Sequence, residues 1–318
     1  MTSTPHTRLG TGRAGGRAAD RAFRGGTRVF AGTLVAILIA LAAMLSINGW
    51  DAFATFGLGF MTGTDWDPVR DIYGAMPFIV GTLLSSLIAL IIAAPIGLMT
   101  AIFLAELAPR RVAVPLTFAI ELLAAIPSVV FGLWGVFVLS PFLQSTVEAW
   151  ITDVFGWIPF LAGPTFGVGL FAAGVILAIM ILPTIVSIAR EVIGSIPNSQ
   201  REAMFALGAT RWEMVTRAVL PAARSGIIGA IILGFGRALG ETMAVTMVIG
   251  NAQSIPTTLF DQAQTIASQI ATTFNEAQVG LQTSSLIALG LVLLVITLGL
   301  NVAARLLVSR AGAQAGAR

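Results

Sequence analysis

The sequence contains no cysteine, no lysine and a single histidine, His6. Disulfide bonds, thiol catalysis and clustered zinc ligands are therefore excluded. The absence of lysine excludes Schiff-base chemistry and also a P-loop nucleotide site, in which a lysine side chain reaches the phosphates. Because so few reactive side chains remain, the composition argues against a membrane enzyme.

Charge is scarce as well. Only 10% of the 318 residues are charged, 56% are hydrophobic, and the mean hydropathy is +0.91. A soluble domain carries roughly 25% charged residues. The composition therefore predicts a membrane protein of the all-α class.

Six apolar runs are long enough to cross a bilayer, which takes about 20 helical residues. We predict transmembrane helices at Val29–Ile47, Met76–Leu104, Val112–Leu139, Gly163–Ala189, Gly226–Asn251 and Val279–Ala304. The first run exceeds the apolar region of a signal peptide and follows a long basic stretch, so we interpret it as a retained anchor. Pro95 and Pro183 lie inside two of the runs and predict kinks there.

The arginines predict the orientation of these helices. With six spans both termini share one side, and that side holds sixteen of the eighteen arginines. Arg70 alone lies on the opposite side, and Arg237 lies inside a run. Arginine is enriched in cytoplasmic loops, so we expect a multi-pass membrane protein with both termini in the cytoplasm.

The chain divides into three predicted regions. Residues 1–28 are rich in arginine and glycine without an apolar period, and we predict a disordered cytoplasmic tail that touches anionic lipid head groups. Residues 29–310 form the predicted transmembrane domain, and residues 311–318 a cytoplasmic tail. In the outer loop after the fifth run, apolar residues fall on one helical face and predict an amphipathic helix lying on the surface: Leu259, Ala263, Ile266, Ile270 and Phe274.

A polar segment, residues 198–222, interrupts the apolar runs on the cytoplasmic side. Ser199 precedes Glu202 by three residues, and Thr210 precedes Glu213 by three. Both pairs are typical of capping boxes, in which the hydroxyl and the carboxylate each accept a backbone N–H at a helix start.

Gly208 is placed to end the first of these helices in a left-handed conformation. Pro197 is expected to end the preceding transmembrane helix, and Pro221 to lie near the end of the second short helix. The segment is thus predicted as two short helices joined by a glycine turn beneath the membrane. A DNA-recognition helix would be pinned against the bilayer there, so we predict no nucleic-acid partner.

Three ionisable residues fall inside the apolar runs: Glu121, Arg237 and Glu241. A charge at the bilayer centre costs about 2.5–3.5 kcal/mol or more, so each needs a partner or a wet cavity. Arg237 and Glu241 are four residues apart and either pair on one helix face or line a pathway in which the guanidinium holds an oxyanion. Glu121 either contacts a polar neighbour or lines the same pathway.

The polar segment resembles the EAA loop of the permeases of binding-protein-dependent ABC importers. The resemblance rests on Glu202-Ala203-Met204, on Gly208 six residues after the glutamate, and on Leu220-Pro221. Met204 and Ala218 depart from the usual pattern, and both keep an apolar helical face. The resemblance implies a type I (MetI-like) fold with six transmembrane helices, whose core covers about residues 76–305. It also implies a cytoplasmic coupling helix seated in a separate ATPase subunit that binds ATP and Mg²⁺.

Three further stretches resemble the phosphate-importing PstC permeases of that family: residues 73–82, 126–133 and 236–251. The resemblance implies that Arg237 and Glu241 accompany phosphate passage. It also implies a PstA-like second permease, a PstB-like ATPase dimer and a PstS-like external binding protein as partners. The chain itself would be a non-catalytic subunit.

Two other functions remain open at this point. A permease of the same architecture for another oxyanion, such as sulfate or molybdate, is the nearer one. A secondary transporter or channel working alone is the other, although such proteins usually show an internal hydropathy repeat, and none is visible here.

Overall fold

The computed structural model describes the backbone of residues 13–313 and the side chains of residues 20–306. In this part of the chain, 6 helices are long and apolar enough to cross a membrane, which confirms the predicted number. They are Asp20–Asn48, Met76–Leu107, Ser128–Phe155, Leu170–Gly194, Arg211–Gly240 and Leu281–Leu306. Four of them follow the predicted runs closely, while the third and the fifth differ.

The first helix, α1 (Arg13–Asn48), forms a unit by itself that ends at Asn48. Residues 13–28, predicted to be disordered, are helical, so this part of the prediction is wrong. Alanine and arginine favour helix, and the apolar run that follows extends the same helix, with Asp20 and Arg24 4.0 Å apart one turn along it. Residues 1–12 of the predicted tail, and 314–318 of the C-terminal one, lie outside the described residues.

The second unit, from residue 49 onward, begins with short elements that precede the second span. They are α2 (Trp50–Phe56), α3 (Gly59–Thr62), β1 (Trp66–Asp67) and β2 (Ile72–Tyr73). The strands pair antiparallel with Trp66 opposite Tyr73, and their rings lie 4.9 Å apart edge to face. Trp66 also packs on Phe78 of the next helix, with ring centroids 5.2 Å apart. This aromatic cluster anchors the segment to the start of the second span.

The second span is α4 (Met76–Ile102), with Pro95 inside it, followed by one π-helical segment, Phe103–Leu107. The third span was predicted too early in the chain. Residues 110–125 form a separate helix, α5 (Arg110–Ala125), which has no buried residue. Ile126 then takes an extended conformation, because a residue that precedes proline, here Pro127, disfavours the helical region.

The third span therefore starts at Ser128 and not at Val112. It is a helix interrupted by two π-helical segments, and its parts are α6 (Ser128–Trp134), Gly135–Leu139, α7 (Ser140–Phe142), Leu143–Glu148 and α8 (Ala149–Phe155). A 3-10 turn at Pro159–Leu161 and an extended loop lead to the fourth span, α9 (Leu170–Gly194). Helix α9 contributes more buried residues than any other helix of the described chain, and α4 packs along it.

The polar segment after α9 leads directly into the fifth span. Its parts are α10 (Asn198–Ala206), α11 (Arg211–Met214), the π-helical segment Val215–Val219 and α12 (Leu220–Leu239). The second short helix is thus the start of the transmembrane helix, and its predicted end at Pro221 is wrong. Pro221 follows directly on the π-helical segment within the same continuous helix, and proline is often found at such irregularities in a helix.

The remaining elements are α13 (Met243–Val248), α14 (Ile266–Thr273), a 3-10 turn at Phe274–Glu276 and α15 (Leu281–Ala313). Residues 263–269 of the loop between α13 and α15 are buried, whereas most of the residues at both ends of the loop are exposed. The predicted amphipathic helix is present only over Ile266–Thr273, as α14, and its predicted part before Ile266 is not helical. Ala263 N–H donates to the Ile249 carbonyl at 3.1 Å, and Ile266 N–H donates to Thr82 Oγ1 at 2.9 Å. Helix α14 is short because the apolar residues before it contact the bundle through irregular backbone rather than through a helical face.

Gly81 shows how closely this outer loop approaches the second span. A Cβ at Gly81 would overlap the backbone carbonyl of Gln264. Only glycine permits such a contact between a helix and a loop backbone. The loop is consequently part of the packed interior.

Asp261 organises the entrance to this loop. Its Oδ2 accepts from the backbone N–H groups of Thr257 and Thr258 at 2.7 and 2.8 Å and from the Thr257 hydroxyl at 2.8 Å. Burial by itself would raise the pKa of Asp261, but these hydrogen bonds outweigh it and hold the pKa below its usual value. A carboxylate with a lowered folded-state pKa stabilises the fold above the unfolded pKa, and that stabilisation is lost as the pH falls through the folded value.

We therefore expect Asp261→Asn to lower the melting temperature in detergent at pH 6. The difference from wild type should shrink as the pH is lowered through the acidic range below about 3.9, where wild type loses the charge too. Thermal unfolding followed across pH 3–6 measures it, with the exposed Asp153→Asn as the control. A difference that does not vary with pH would contradict the assigned role of the carboxylate.

Candidate functional site

Arg237 lies in the last turn of α12, on the face that approaches α9. Its Nη1 donates to Thr184 Oγ1 at 3.4 Å. Thr184 is fourteen residues from Leu170 at one end of α9 and ten from Gly194 at the other, or about 21 Å and about 15 Å at 1.5 Å per residue. Arg237 therefore lies near the middle of the membrane depth.

The helix that carries Arg237 ends directly after it. Gly240 is the C-cap of α12, and Glu241 follows in the short connection to α13. Glu241 Oε1 accepts from the Ala244 N–H at 3.4 Å. The predicted ion pair of Arg237 and Glu241 on one helix face is wrong: the break at Gly240 removes their helical spacing, and no ion pair between them occurs among the described side chains.

Arg237 is exposed on the surface of this chain. A guanidinium facing hydrocarbon at that depth costs about 2.5–3.5 kcal/mol or more. This face is consequently not a lipid face: water or another protein surface must cover it. A guanidinium in such a place presents charge-assisted donors to an oxyanion.

Glu121 lies elsewhere. It belongs to α5 rather than to a transmembrane helix, its side chain is 58% exposed, and its Oε1 is 4.0 Å from Arg190 Nη2. Arg190 Nη1 also donates to Thr117 Oγ1 at 2.7 Å. A cavity of about 540 Å³ opens beside this pair at the C-terminal end of α9, lined also by Ser187. The polar-neighbour interpretation of Glu121 thus matches the structure, and the residue is not brought together with Arg237.

The hairpin formed by α10 and α11 has the predicted glycine turn. Gly208 has φ +80, its N–H donates to the Phe205 carbonyl at 2.9 Å, and the Ala209 N–H donates to the Met204 carbonyl at 3.0 Å. This pair of bonds is a Schellman motif, in which glycine satisfies the last carbonyls of a helix. The hairpin is therefore sharply closed.

One of the two predicted capping boxes is present. Thr210 and Glu213 exchange both bonds at the start of α11. The box at Ser199 is wrong, because α10 already begins at Asn198 with Pro197 as its cap. Proline fixes the φ of the cap residue, so the helix starts before Ser199 can serve as its cap.

The residues predicted to couple to an ATPase separate into two groups. Glu202, Ala203 and Gly208 are exposed on the hairpin. Leu220 is half-buried, and Pro221 is exposed on the first turn of α12, more than two turns further along the helix.

The hairpin also exposes apolar side chains that the sequence reading missed. Leu207 is 83% exposed and Trp212 is 73% exposed. Apolar groups gathered at the tip of a hairpin mark a protein interaction surface. The large apolar residues flanking the glycine turn were a signal that could have indicated this.

Comparisons with known proteins agree with this architecture. The family described as "Binding-protein-dependent transport system inner membrane component" matches residues 93–312. The "Phosphate transport system permease protein PstC" of Mesorhizobium japonicum is 47% identical over 302 residues, covering 94% of this chain and 92% of that protein. The chain belongs to the PstC family of permeases. The permease is thus a multi-pass inner membrane protein of the type I fold.

Other relatives extend the comparison. The Pasteurella multocida protein of the same name is 47% identical to the permease over 292 residues, with 91% of each chain covered. A membrane subunit of the bacterial alginate ABC transporter, solved with its alginate pentasaccharide-bound periplasmic protein, has a TM-score of 0.55 at 17% identity. The alignment covers 89% of the permease and 96% of that chain, and it shows a shared fold alone.

Proposed function

We propose that the permease forms half of the membrane pathway of an ATP-driven inorganic phosphate importer, with a PstA-like second permease as the other half. The observation that carries this is the exposed guanidinium of Arg237 at mid-membrane depth. Phosphate is a multiply charged anion, and a low-dielectric path must replace its water with donors. Glu241 contacts the start of α13 and does not neutralise Arg237, so the cation is available to the anion.

The role proposed for Glu241 differs from the ion pair with Arg237 that its spacing in the sequence indicated. It lies beside the pathway, on the connection that follows Gly240, where a carboxylate keeps an empty site from holding phosphate too tightly. A transport site must release its cargo, and a lone guanidinium in a dry channel would release it slowly. Glu121 is not needed for this pathway, because its partner is Arg190.

The hairpin is the proposed docking site of a PstB-like ATPase dimer. Glu202, Ala203 and Gly208 are exposed there together with Leu207 and Trp212. An apolar tip that also exposes charges of both signs, Glu202 and Arg211, fits a cleft on a soluble partner and has no role in lipid. That partner binds ATP and Mg²⁺, so the permease itself is non-catalytic. Leu220 and Pro221 connect the hairpin to the fifth span.

The orientation follows from the arginines, with sixteen on the side of the termini and one opposite. Both termini and the hairpin therefore face the cytoplasm of a bacterial cell, and a PstS-like binding protein delivers phosphate to the outer face. Residues 29–310 constitute the permease domain, with 198–222 as its coupling loop.

ATP-dependent uptake of radiolabelled phosphate into vesicles tests this function. The vesicles contain the permease with its copurified companions, and the external binding protein is added. Uptake should require ATP and the binding protein, and excess sulfate or molybdate should not compete. Competition by those anions would reassign the substrate, and flux through the permease alone would indicate a secondary transporter or channel.

A further inference from the structure

Arg201 lies next to Glu202 in α10, but its side chain points into the protein. Its Nη2 lies 2.6 Å from Glu106 Oε1, and its Nε lies 3.2 Å from each oxygen of the same carboxylate. The two side chains are only 14% and 5% exposed. This is a buried, two-pronged ion pair between residues 95 positions apart in the sequence.

The remaining donors of Arg201 bind the end of the fourth span. Nη2 donates to the Ile193 carbonyl at 3.0 Å, and Nη1 donates to the Ile196 carbonyl and to Asn198 Oδ1. The last carbonyls of a helix have no partners within it, and Arg201 supplies a charged donor for Ile193, whose carbonyl also accepts from the Ile196 N–H at 3.3 Å. A single guanidinium thus joins α10 to the end of α9 and to the π-helical segment that closes the second span.

These connections lead toward Arg237. Helices α4 and α12 both pack against α9, and Thr184 of α9 receives the hydrogen bond from Arg237. Because α10 is attached to Glu106 and to the end of α9, a displacement of α10 must therefore move the helices around Arg237.

Apolar packing alone would not fix the position of α10 along α9 and the end of the second span. Met204 and Ile196 contact a buried cluster that includes Ala101 and Leu104 of α4 and the adjoining segment, but such contacts permit one helix to slide on another. A bidentate guanidinium–carboxylate pair has a fixed geometry. Because charge burial costs nearly as much as the pair gains, such pairs contribute little net stability, and a role in register accounts for this one.

We propose that Arg201 and Glu106 are positioning residues that transmit movement of the docked ATPase from the hairpin to the second and fourth spans. The proposal rests on the proposed function, since it requires that an ATPase docks on the hairpin. Loss of the pair leaves the exposed docking residues in place and disconnects them from the pathway, so ATP hydrolysis continues without transport.

The test compares Glu106→Gln, Arg201→Gln and the charge-swapped double variant Glu106→Arg/Arg201→Glu in the complete complex in vesicles. Copurified ATPase, ATP hydrolysis and phosphate uptake are measured on the same preparations. Each single variant should keep the ATPase bound and lower the phosphate transported per ATP at least about tenfold, within the usual range of coupling between sites. The double variant should recover a substantial part of that ratio.

Arg70→Gln is the matched control, because it breaks an exposed pair, with Asp67 at 3.6 Å, outside the hairpin. Its phosphate-to-ATP ratio should equal that of wild type. Unchanged ratios in the single variants overturn the proposal. If the complex is lost in the single variants and in the swapped variant alike, the pair is required for folding, and this result also overturns the proposal. Wild-type uptake decides the proposed function separately, so the two failures are distinguishable.

Discussion

Replacing Arg237 with alanine is expected to stop phosphate uptake while the permease still assembles with its ATPase. The guanidinium is exposed and donates within this chain only a 3.4 Å hydrogen bond to Thr184 among its described contacts. Its removal leaves packing nearly unchanged. Hydrogen bonds to charged groups contribute about 1.5–3 kcal/mol each, so losing even one to the moving anion slows transport roughly ten- to a hundredfold. Initial uptake rates in vesicles measure the effect.

Two further variants distinguish the effect of the positive charge of Arg237 from that of its hydrogen bonds. Arg237→Lys keeps the positive charge but loses the planar fork, and it should retain only part of the activity. Thr184→Val removes the hydrogen-bond partner and keeps the guanidinium, so it should transport nearly as wild type does. If Arg237→Ala instead breaks up the complex, Arg237 is needed for assembly, and the role in the pathway is contradicted.

Glu202→Arg and Gly208→Trp are expected to abolish transport for a different reason, by removing the ATPase. Glu202→Arg reverses a charge on the exposed face of α10, and Gly208→Trp places a bulky ring at the turn. The space around Gly208 is open within the chain, with nothing within 4 Å of an added Cβ. The tryptophan therefore meets no steric clash within the permease, although it bears the backbone strain of any side chain at φ +80, and its ring obstructs what docks there. ATPase retained on the tagged permease after mild detergent extraction is the measurement.

Gly208→Ala is the control for backbone strain. At φ +80 a side chain costs about 1–2 kcal/mol, but alanine adds little bulk, so docking should weaken far less than with tryptophan. Asp153→Arg repeats the charge reversal of Glu202→Arg away from the hairpin and should leave the ATPase bound. Uptake that survives both Glu202→Arg and Gly208→Trp would show that the ATPase docks elsewhere.

The sequence predicted local features well where their cause is local. Apolar runs partition into lipid whatever their neighbours are, so the number of spans followed from composition within short windows. The left-handed turn at Gly208 and the capping box of Thr210 and Glu213 also depend on a few adjacent residues. All of these were confirmed because a handful of consecutive side chains provides most of the energy involved.

Predictions that depended on where a helix stops were less successful. Hydropathy continues smoothly through Ile126 and Gly240, but the helical backbone is interrupted at both. Ile126 precedes a proline, and Gly240 caps a helix. Conversely, the helix from Arg211 continues past Pro221 through a π-helical segment, where proline suggested an end. An apolar average over a window carries no information on such backbone breaks.

By itself, the sequence determined that this is a membrane permease, how many helices cross the bilayer, and where the exposed turn lies. Only the tertiary structure decided that Arg237 stands apart from Glu241, that the outer loop is buried against Gly81, and that Arg201 meets Glu106. Each of these depends on contacts between distant segments. Their geometry is set by how the helices pack together, and no local pattern of residues encodes it.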